Sequence, residues 1–297
     1  MSSHWCSMLG GELRYLGVEG VRTRVIEAGD PAAELTILCV HGSGGHAENF
    51  VTNVVPLAAA GHVLAPDLLG HGLNSRPEAA DYTMRGVLAH LEGLLELVGA
   101  RRVAVIGLSL GGTLAGHLAL QRPDLVDKVV MICPAGLAPG PQDPAQLRAA
   151  AARMRDGTTS VLADPTWERC RARVANLLSD ASRLPEEMVA LRQYMYTRPG
   201  AETMAAILDD NATRAEEHVL GDSALAKLSA ETLLVWGRHN TTPVAVAEAA
   251  CEVLPHGELS LFEDSGHWPH VEEQDAFHER VLQFLGRPDP GPPERKE

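Results

Sequence analysis

The stretch RVAVIGLSLGGTLAGHLAL, residues 102–120, decides the fold, because it joins an apolar run to a helix-forming run through a glycine-rich turn. Ser109 lies in that turn, with Gly107 two residues before it and Gly111 two residues after it. A serine in so sharp a strand-to-helix turn needs small residues at these positions, so that the helix can pack close to the sheet. The pattern therefore predicts that Ser109 presents its hydroxyl at the sheet edge, above a helix N-terminus that favours developing negative charge.

Further short apolar runs alternate with helix-length segments along the chain. Runs of this kind are typical of strands covered on both faces, and the helical segments between them indicate crossover connections. We therefore predict an α/β fold with a mostly parallel central sheet and helices on both faces. The predicted central strands are residues 35–40, 62–66, 102–107, 128–133, 232–236 and 258–262.

Two segments depart from this alternation. Residues 13–24 predict an antiparallel hairpin that turns at Glu19 and Gly20. Between two of the predicted strands lies a long Ala-, Arg- and Leu-rich interval with helical periodicity and several prolines, which indicates an inserted helical lid. The predicted division is a core of residues 1–133 and 231–286, a lid of residues 134–230, and a proline-rich disordered tail of residues 287–297.

Two loops carry the chemistry that a reactive serine needs. HGSGG, residues 41–45, follows a predicted strand, and bare backbone N–H groups in such a turn can face a substrate carbonyl, so we predict an oxyanion hole from the amides of Ser43 and Leu110. The alternative is a simple glycine-rich loop. His267 lies after the last predicted strand, from where a neutral imidazole can reach Ser109 as general base.

A zinc site is an alternative at the same place, because His270 lies one helical turn beyond His267 and the two could form a ligand pair. No Asp, Glu or Cys cluster completes a zinc site there, so the sequence predicts neither a metal nor a cofactor.

The composition limits the partners. With 25 basic and 39 acidic residues the net charge is −14, which opposes binding to nucleic acid or to an acidic membrane surface. The N-terminus lacks the basic and apolar regions of a secretory signal, and no apolar run is long enough to span a membrane. The five cysteines are an odd number and two of them lie in predicted strands, which favours reduced thiols in a cytoplasmic protein. A small-molecule substrate is therefore predicted, and a homo-oligomer is left open.

The motifs together resemble a known family. Taken in order, they are similar to the α/β-hydrolase superfamily over nearly the whole chain, which implies that fold, a serine nucleophile and a helical lid. The motifs are HGSGG (41–45), PDLLGHG (66–72), GLSLGG (107–112), VWGRHNTTP (235–243) and DSGHW (264–268).

Within the superfamily, the chain most resembles the meta-cleavage-product hydrolases, which cleave a carbon–carbon bond in 2-hydroxy-6-oxo-dienoates. PAGLAPG (134–140), Trp268 after the histidine, and EEMVALRQYMYTRP (186–199) carry this resemblance. It implies that Arg192, on the lid helix, binds the substrate carboxylate; the alternative is a solvated surface arginine. The other residues predicted to contact substrate are Trp268, Gly42 and Leu108.

Two positions depart from the family pattern. Leu108 stands where the family has Asn, which weakens the dienoate assignment, and Asn240 stands where the superfamily normally has the acid of the triad. An Asn oxygen can orient His267 but adds no charge to stabilise its imidazolium form. Three explanations stay open: another acid serves His267, the reaction needs only a weak base, or Asn240 is an engineered change. The alternative positions are Cys133-Pro134, which holds no acid, Asp264 on the histidine loop, and Asp209 and Asp210 in the lid.

The sequence therefore predicts a hydrolase with Ser109, His267 and Asn240 as catalytic residues. The bond cleaved is a carbon–carbon bond next to a ketone, or an ester or lactone. Two other classes stay open because of Asn240: a lyase or cyclase of natural-product biosynthesis on the same scaffold, and a non-catalytic ligand-binding protein. The scarcity of Phe and Tyr favours an aliphatic pocket.

Overall fold

The computed structural model describes residues 3–286, and an eight-stranded sheet in the order β1-β2-β4-β3-β5-β6-β7-β8 forms its centre. β1 and β2 are antiparallel to their neighbours, and the other strands are parallel. The predicted α/β fold with a mostly parallel sheet is confirmed. The strands are β1 Gly11–Val18, β2 Val21–Ala28, β3 Thr36–Val40, β4 His62–Pro66, β5 Val103–Leu108, β6 Val126–Ile132, β7 Glu231–Gly237 and β8 Gly257–Phe262.

Helices cover the sheet and fill the interval between β6 and β7. The α-helices are α1 His4–Ser7, α2 Val54–Leu57, α3 Met84–Leu97, α4 Leu110–Gln121, α5 Pro144–Ala163, α6 Trp167–Ala175, α7 Glu186–Tyr196, α8 Thr203–Thr213, α9 Ala215–His218, α10 Asp222–Leu225, α11 Val244–Val253, α12 Pro269–Glu272 and α13 Gln274–Phe284. Short 3₁₀ helices occupy Ala47–Phe50 and Ala181–Arg183.

The strands form where the apolar runs predicted them. Every residue of β3, β4 and β5 is buried, as expected for strands covered by helices on both faces. The hairpin β1–β2 turns at Glu19 and Gly20, whose φ angles of 47° and 82° are both left-handed, as a two-residue hairpin turn of this twist requires.

The helices between β6 and β7 form a layer over the carboxyl ends of the parallel strands. α5 packs on α8, and α6 packs on α7. The two ends of this insertion meet where Leu220 N–H donates to Gly136 O at 2.8 Å and Ala138 N–H donates to Leu220 O at 3.1 Å. The separation of lid from core at residues 134 and 230 stays a prediction, and the predicted tail of residues 287–297 lies outside the described residues.

Loops after β3, β5, β7 and β8 reach the same edge of the sheet, beneath the insertion. Ligands of open α/β sheets bind at this edge. Across the described part of the chain, no helix is both long and apolar enough to cross a membrane.

Candidate active site

Ser109 occupies the sharp turn between β5 and α4 in a strained backbone conformation. Its φ of 54° and ψ of −116° lie in a region that residues with a side chain rarely adopt. Glycine is required on both sides: a Cβ at Gly107 would lie 2.1 Å from Gly111 O, and one at Gly111 would lie 2.1 Å from Val40 O. The turn therefore fixes Ser109 at the sheet edge as the sequence predicted.

The loop after β3 brings Ser43 beside this turn. Gly42 approaches so closely that a Cβ there would lie 3.0 Å from Ser109 Cβ. Neither the N–H of Ser43 nor that of Leu110 donates to an acceptor within residues 3–286. Both residues line cavities that also contain Ser109, so these two amides are available to an oxyanion formed above it.

The conformation of that loop depends on Gly44. Its φ is 65°, and a Cβ there would lie 2.2 Å from the hydroxyl oxygen of Tyr196. Tyr196, on α7 of the insertion, donates its hydroxyl hydrogen to Gly44 O at 3.0 Å. A lid side chain thus holds the loop that carries the Ser43 amide.

His267 and Asn240 are in direct contact. Nδ1 of His267 and Oδ1 of Asn240 are 3.0 Å apart, and because that oxygen only accepts, Nδ1 carries the hydrogen and Nε2 keeps its lone pair. The His267 backbone N–H donates to Leu177 O at 2.8 Å, which fixes the histidine loop against the insertion. The two side chains predicted to form the base and its orienting group are therefore brought together.

The basicity of His267 is low. Burial and, to a smaller extent, the positive charge of Arg173 together lower its pKa to about 4, since both disfavour the imidazolium form. His267 is therefore neutral at physiological pH, as a general base must be, but it gains no charge stabilisation when it accepts a proton.

No other acid takes the place of Asn240. Asp264 is exposed, Asp209 pairs with Arg155 at 3.0 Å, and Asp210 accepts from Met84 N–H. Cys133 lines the larger cavity, but burial raises the pKa of its thiol to about 12. Of the alternatives weighed from the sequence, none lies against His267.

Ser109 and His267 line two adjoining cavities under the insertion. The larger, of about 550 Å³, extends below α5 and α8 and suits a small organic substrate. The smaller lies beside the oxyanion loop and is lined by Gly42, Leu108 and Trp268 among others. Within residues 3–286 neither lining includes an Asp or a Glu, and no Phe, Tyr or Trp lines the larger cavity.

Arg192 lies behind the oxyanion loop and not in either cavity lining. Its side chain is buried, and Nη1 donates to the Tyr196 hydroxyl at 3.3 Å. The solvated-surface alternative is therefore wrong, because the side chain is 1 % exposed. Its role as a carboxylate ligand stays a prediction.

Arg173 and Asn49 are among the polar cavity residues that the sequence did not predict. Arg173, on α6, lines both cavities, and Asn49, on the 3₁₀ helix after the oxyanion loop, lines the smaller one. The segment WERCRAR, residues 167–173, contains three arginines at alternate positions, so no local pattern singles out Arg173.

His270 does not accompany His267. Its Nε2 lies 3.1 Å from Asn49 O, and its ring packs against Phe50 and Phe277. Within residues 3–286 no group of three His, Cys, Asp or Glu side chains is arranged to hold a metal ion.

Comparisons with known proteins identify relatives over most of the chain. The model of the alpha/beta hydrolase family matches residues 37–280. A 2-hydroxy-6-oxo-2,4-heptadienoate hydrolase of Pseudomonas putida is 26% identical over 279 residues, covering 91% of this chain and 95% of that protein. A 2-hydroxy-6-oxononadienedioate/2-hydroxy-6-oxononatrienedioate hydrolase of Dechloromonas aromatica is 30% identical over 258 residues, covering 84% of this chain and 86% of that protein.

Solved structures agree on the fold. The 2-hydroxy-6-oxo-6-phenylhexa-2,4-dienoate hydrolase of Rhodococcus sp. strain RHA1 superposes with a TM-score of 0.79 at 24% identity, covering 93% of this chain and 99% of that one. The resemblance to meta-cleavage-product hydrolases that the motifs carried is confirmed by these relatives.

Proposed function

The chain belongs to the alpha/beta hydrolase family and is a hydrolase, and we propose that it cleaves the carbon–carbon bond next to a ketone in a small organic substrate. The observation that carries the proposal is the placement of Ser109 in a strained turn, between two open backbone N–H donors and in one cavity with His267. Hydrolysis of an ester or lactone uses the same steps and is the second bond type that this site supports.

In the first half of the proposed reaction, Ser109 Oγ attacks the ketone carbon and its proton passes to Nε2 of His267. The carbonyl oxygen becomes an oxyanion that the N–H groups of Ser43 and Leu110 stabilise. The carbon–carbon bond then breaks, its electron pair leaves with the unsaturated fragment, and that carbon takes the proton back from His267. The acyl group remains on Ser109 as an ester.

In the second half, His267 accepts a proton from water, and the resulting hydroxide attacks the acyl carbon of that ester. The bond to Ser109 breaks, and Oγ takes the proton from His267. Substrate and one water molecule thus give one carboxylic acid and one dienol, and no cofactor is consumed. Asn240 orients the imidazole through its contact with Nδ1 but supplies no charge.

The remaining predictions from sequence belong to this proposal. Trp268, Gly42 and Leu108 line the smaller cavity beside Ser109 and would contact the substrate there. A cytoplasmic location agrees with the five free cysteines within the described residues. Association into an oligomer stays open.

Asn240 favours the two rival functions, since an oxyanion hole with a weak base suits a lyase or cyclase, and a pocket without a full triad suits ligand binding. The test is turnover of 2-hydroxy-6-oxo-2,4-heptadienoate and of p-nitrophenyl esters by the purified protein, with covalent labelling by a fluorophosphonate. We expect stoichiometric labelling of Ser109 and release of a carboxylic acid from the dienoate. Labelling with ester but no dienoate turnover would favour the second bond type, and no labelling with retained ligand binding would overturn the enzyme assignment.

A further inference from the structure

Arg173 is a cation without an acid partner at the reactive centre. It lies on α6 and lines both cavities together with Ser109 and His267. Its Nε is fully buried and has no hydrogen-bond acceptor within residues 3–286. The two other arginines of the same helix are paired at the surface, Arg171 with Glu186 at 3.1 Å and Arg169 with Asp164 at 3.9 Å.

The charge around Arg173 is opposite to that of the protein. The chain carries a net charge of −14, yet the described lining of both cavities contains arginines and no carboxylate. Arg153 lines the outer part of the larger cavity, and Arg192 lies behind the oxyanion loop with its own Nε buried and without an acceptor. Burial and the charge of Arg192 both lower the pKa of Arg173.

Such an arrangement is costly without an anion. A guanidinium whose Nε is buried is stabilised by a partner of opposite sign, and the lack of that partner is unfavourable. A guanidinium is suited to a carboxylate, because its planar donors match the two oxygens of that group. A ligand with a carboxylate would provide the negatively charged acceptor that no side chain within residues 3–286 provides to Arg173.

We propose that Arg173 binds a carboxylate of the substrate, and that this carboxylate places next to His267 the negative charge that Asn240 lacks. The inference rests on the proposed function, since it names the substrate class of the same site: a small acid whose carboxylate lies within reach of the reacting carbonyl. Arg173 is a different residue from Arg192, on a different helix, and it faces the cavity.

The second part of the proposal follows from the electrostatics of His267. In the empty site Arg173 disfavours protonation of the imidazole, so proton transfer from Ser109 is opposed. A bound carboxylate compensates Arg173 and removes this opposition. An acidic substrate therefore favours proton transfer from Ser109 to His267. With a neutral substrate the charge of Arg173 is not compensated, and this transfer stays unfavourable.

The other groups around His267 do not change this sign. Asn240 is neutral, and Glu272, on α12, is engaged by Gly266 N–H at 2.7 Å and by the Ser179 hydroxyl at 2.7 Å. Burial lowers the pKa of His270 to about 3, so it is neutral too. His239 is exposed on the loop after β7, and Arg192 adds a second positive charge on the far side of Arg173.

The test compares two esters of equal chain length, p-nitrophenyl hexanoate and the mono-p-nitrophenyl ester of adipic acid. The measured quantity is the ratio of their kcat/KM values, acidic over neutral. We expect Arg173→Gln to lower this ratio by about a hundredfold, as for loss of a buried charge-assisted bond, and Arg173→Lys to restore part of it. The control Arg171→Gln removes the same charge from the outer face of α6 and should leave the ratio unchanged.

The pH profile provides a readout that a structural role would not move. Removal of the Arg173 cation raises the pKa of His267, so the acid limb of kcat/KM for hexanoate should lie at higher pH in Arg173→Gln than in the parent. Equal loss on both esters with an unmoved limb would overturn the proposal. A larger fall of the ratio in Arg153→Gln than in Arg173→Gln would overturn it as well.

A binding measurement separates this proposal from the proposed function. Titration calorimetry of monomethyl adipate and methyl hexanoate on Ser109→Ala reports the carboxylate site without any chemistry, because only the first ligand carries a carboxylate. Tighter binding of monomethyl adipate that disappears in the double variant Ser109→Ala/Arg173→Gln supports the carboxylate site even if no dienoate is cleaved. Equal binding of the acidic and the neutral ligand would overturn it even if dienoates are substrates.

Discussion

Two regions border the same cavity: the turns after β3, β5 and β8, and the helices of the insertion. Backbone geometry fixes the turns, whereas side-chain contacts fix the helices of the insertion. At the turns, glycines are required because a Cβ would lie well inside the van der Waals distance of backbone atoms, as at Gly111, where it would be 2.1 Å from Val40 O. In the insertion, the decisive groups are long side chains such as Arg173 and Tyr196. The proposed chemistry therefore depends on the sheet edge, whereas the proposed specificity depends on the insertion.

The largest expected effect tests the sheet-edge half of this comparison. Ser109→Ala removes the nucleophile, and we expect kcat to fall by about 10⁶, the magnitude known for removal of a serine nucleophile that acts as a unit with its histidine. The free energy of unfolding should stay close to that of the parent, since the smaller side chain keeps every backbone contact of the turn. Activity within about tenfold of the parent would remove Ser109 from the mechanism.

The second effect concerns the charge at position 240, next to Nδ1 of His267. Asn240→Asp places a carboxylate 3.0 Å from Nδ1, which raises the pKa of His267 from about 4, so the acid limb of kcat/KM should move to higher pH. Above that limb we expect ester turnover to increase by up to about 10⁴, the cost of the reverse exchange in a serine protease. Steady-state kinetics of p-nitrophenyl hexanoate across pH measure both changes.

The matched control is Asn176→Asp, which adds the same charge to the larger cavity without contact to His267. If its rate and profile match those of Asn240→Asp, the effect is a general one of cavity charge. An unchanged profile in Asn240→Asp would mean that residue 240 does not act on His267.

The two regions also differ in how much of their structure could be predicted from sequence. The strands and the turn at Ser109 follow from local rules, because burial on both faces demands continuous apolar runs and a close backbone approach demands glycine at positions such as Gly107 and Gly111. His267 was predicted from its place after the last strand, whereas Asn240 was predicted through the resemblance, because the superfamily has the acid of the triad at that position.

The sequence of the insertion does not predict which of its side chains reach the cavity. Helical periodicity predicted its helices, but which arginine faces the cavity depends on how those helices pack, and that is set by contacts far apart in sequence. Arg192 was singled out through the resemblance and lies one layer behind the cavity, while Arg173 carries no sequence signal and lies in it.

A third prediction contrasts a glycine of the core with one of the insertion. Gly111→Ala forces a Cβ against Val40 O, and we expect a loss of about 3 kcal/mol in the free energy of unfolding, as for overpacking in a rigid interior. Gly157→Ala, on an exposed part of α5 with no atom near its Cβ, should instead gain about 1 kcal/mol from helix propensity. Urea unfolding of both variants measures the difference, and equal effects would contradict the distinction between the regions.

The smallest effect concerns Arg192. Its position allows two roles to be separated, support of the oxyanion loop through Tyr196 and binding of the substrate carboxylate. Its guanidinium reaches the hydroxyl of Tyr196, which in turn holds Gly44 O in the oxyanion loop. Arg192→Met keeps an unbranched side chain but removes the donor to Tyr196, and loss of one such hydrogen bond corresponds to roughly a tenfold fall in kcat. Because the side chain is outside both cavities, we expect the same fall for p-nitrophenyl hexanoate and for the adipate monoester. The free energy of unfolding should hold or increase, since replacing a buried unpaired cation with an apolar group is often stabilising.

Tyr196→Phe and Arg198→Met complete this test. Tyr196→Phe removes the hydroxyl that links Arg192 to Gly44, so it should reproduce the kcat loss of Arg192→Met, and the two changes together should cost little more than either alone. Arg198→Met removes an exposed cation just beyond the same helix and should change neither ester. The contrary result is an increase in KM for the acidic ester alone in Arg192→Met. That outcome would give Arg192 the carboxylate contact that the family resemblance implies, and it would require the insertion to shift so that Arg192 reaches the cavity when substrate binds.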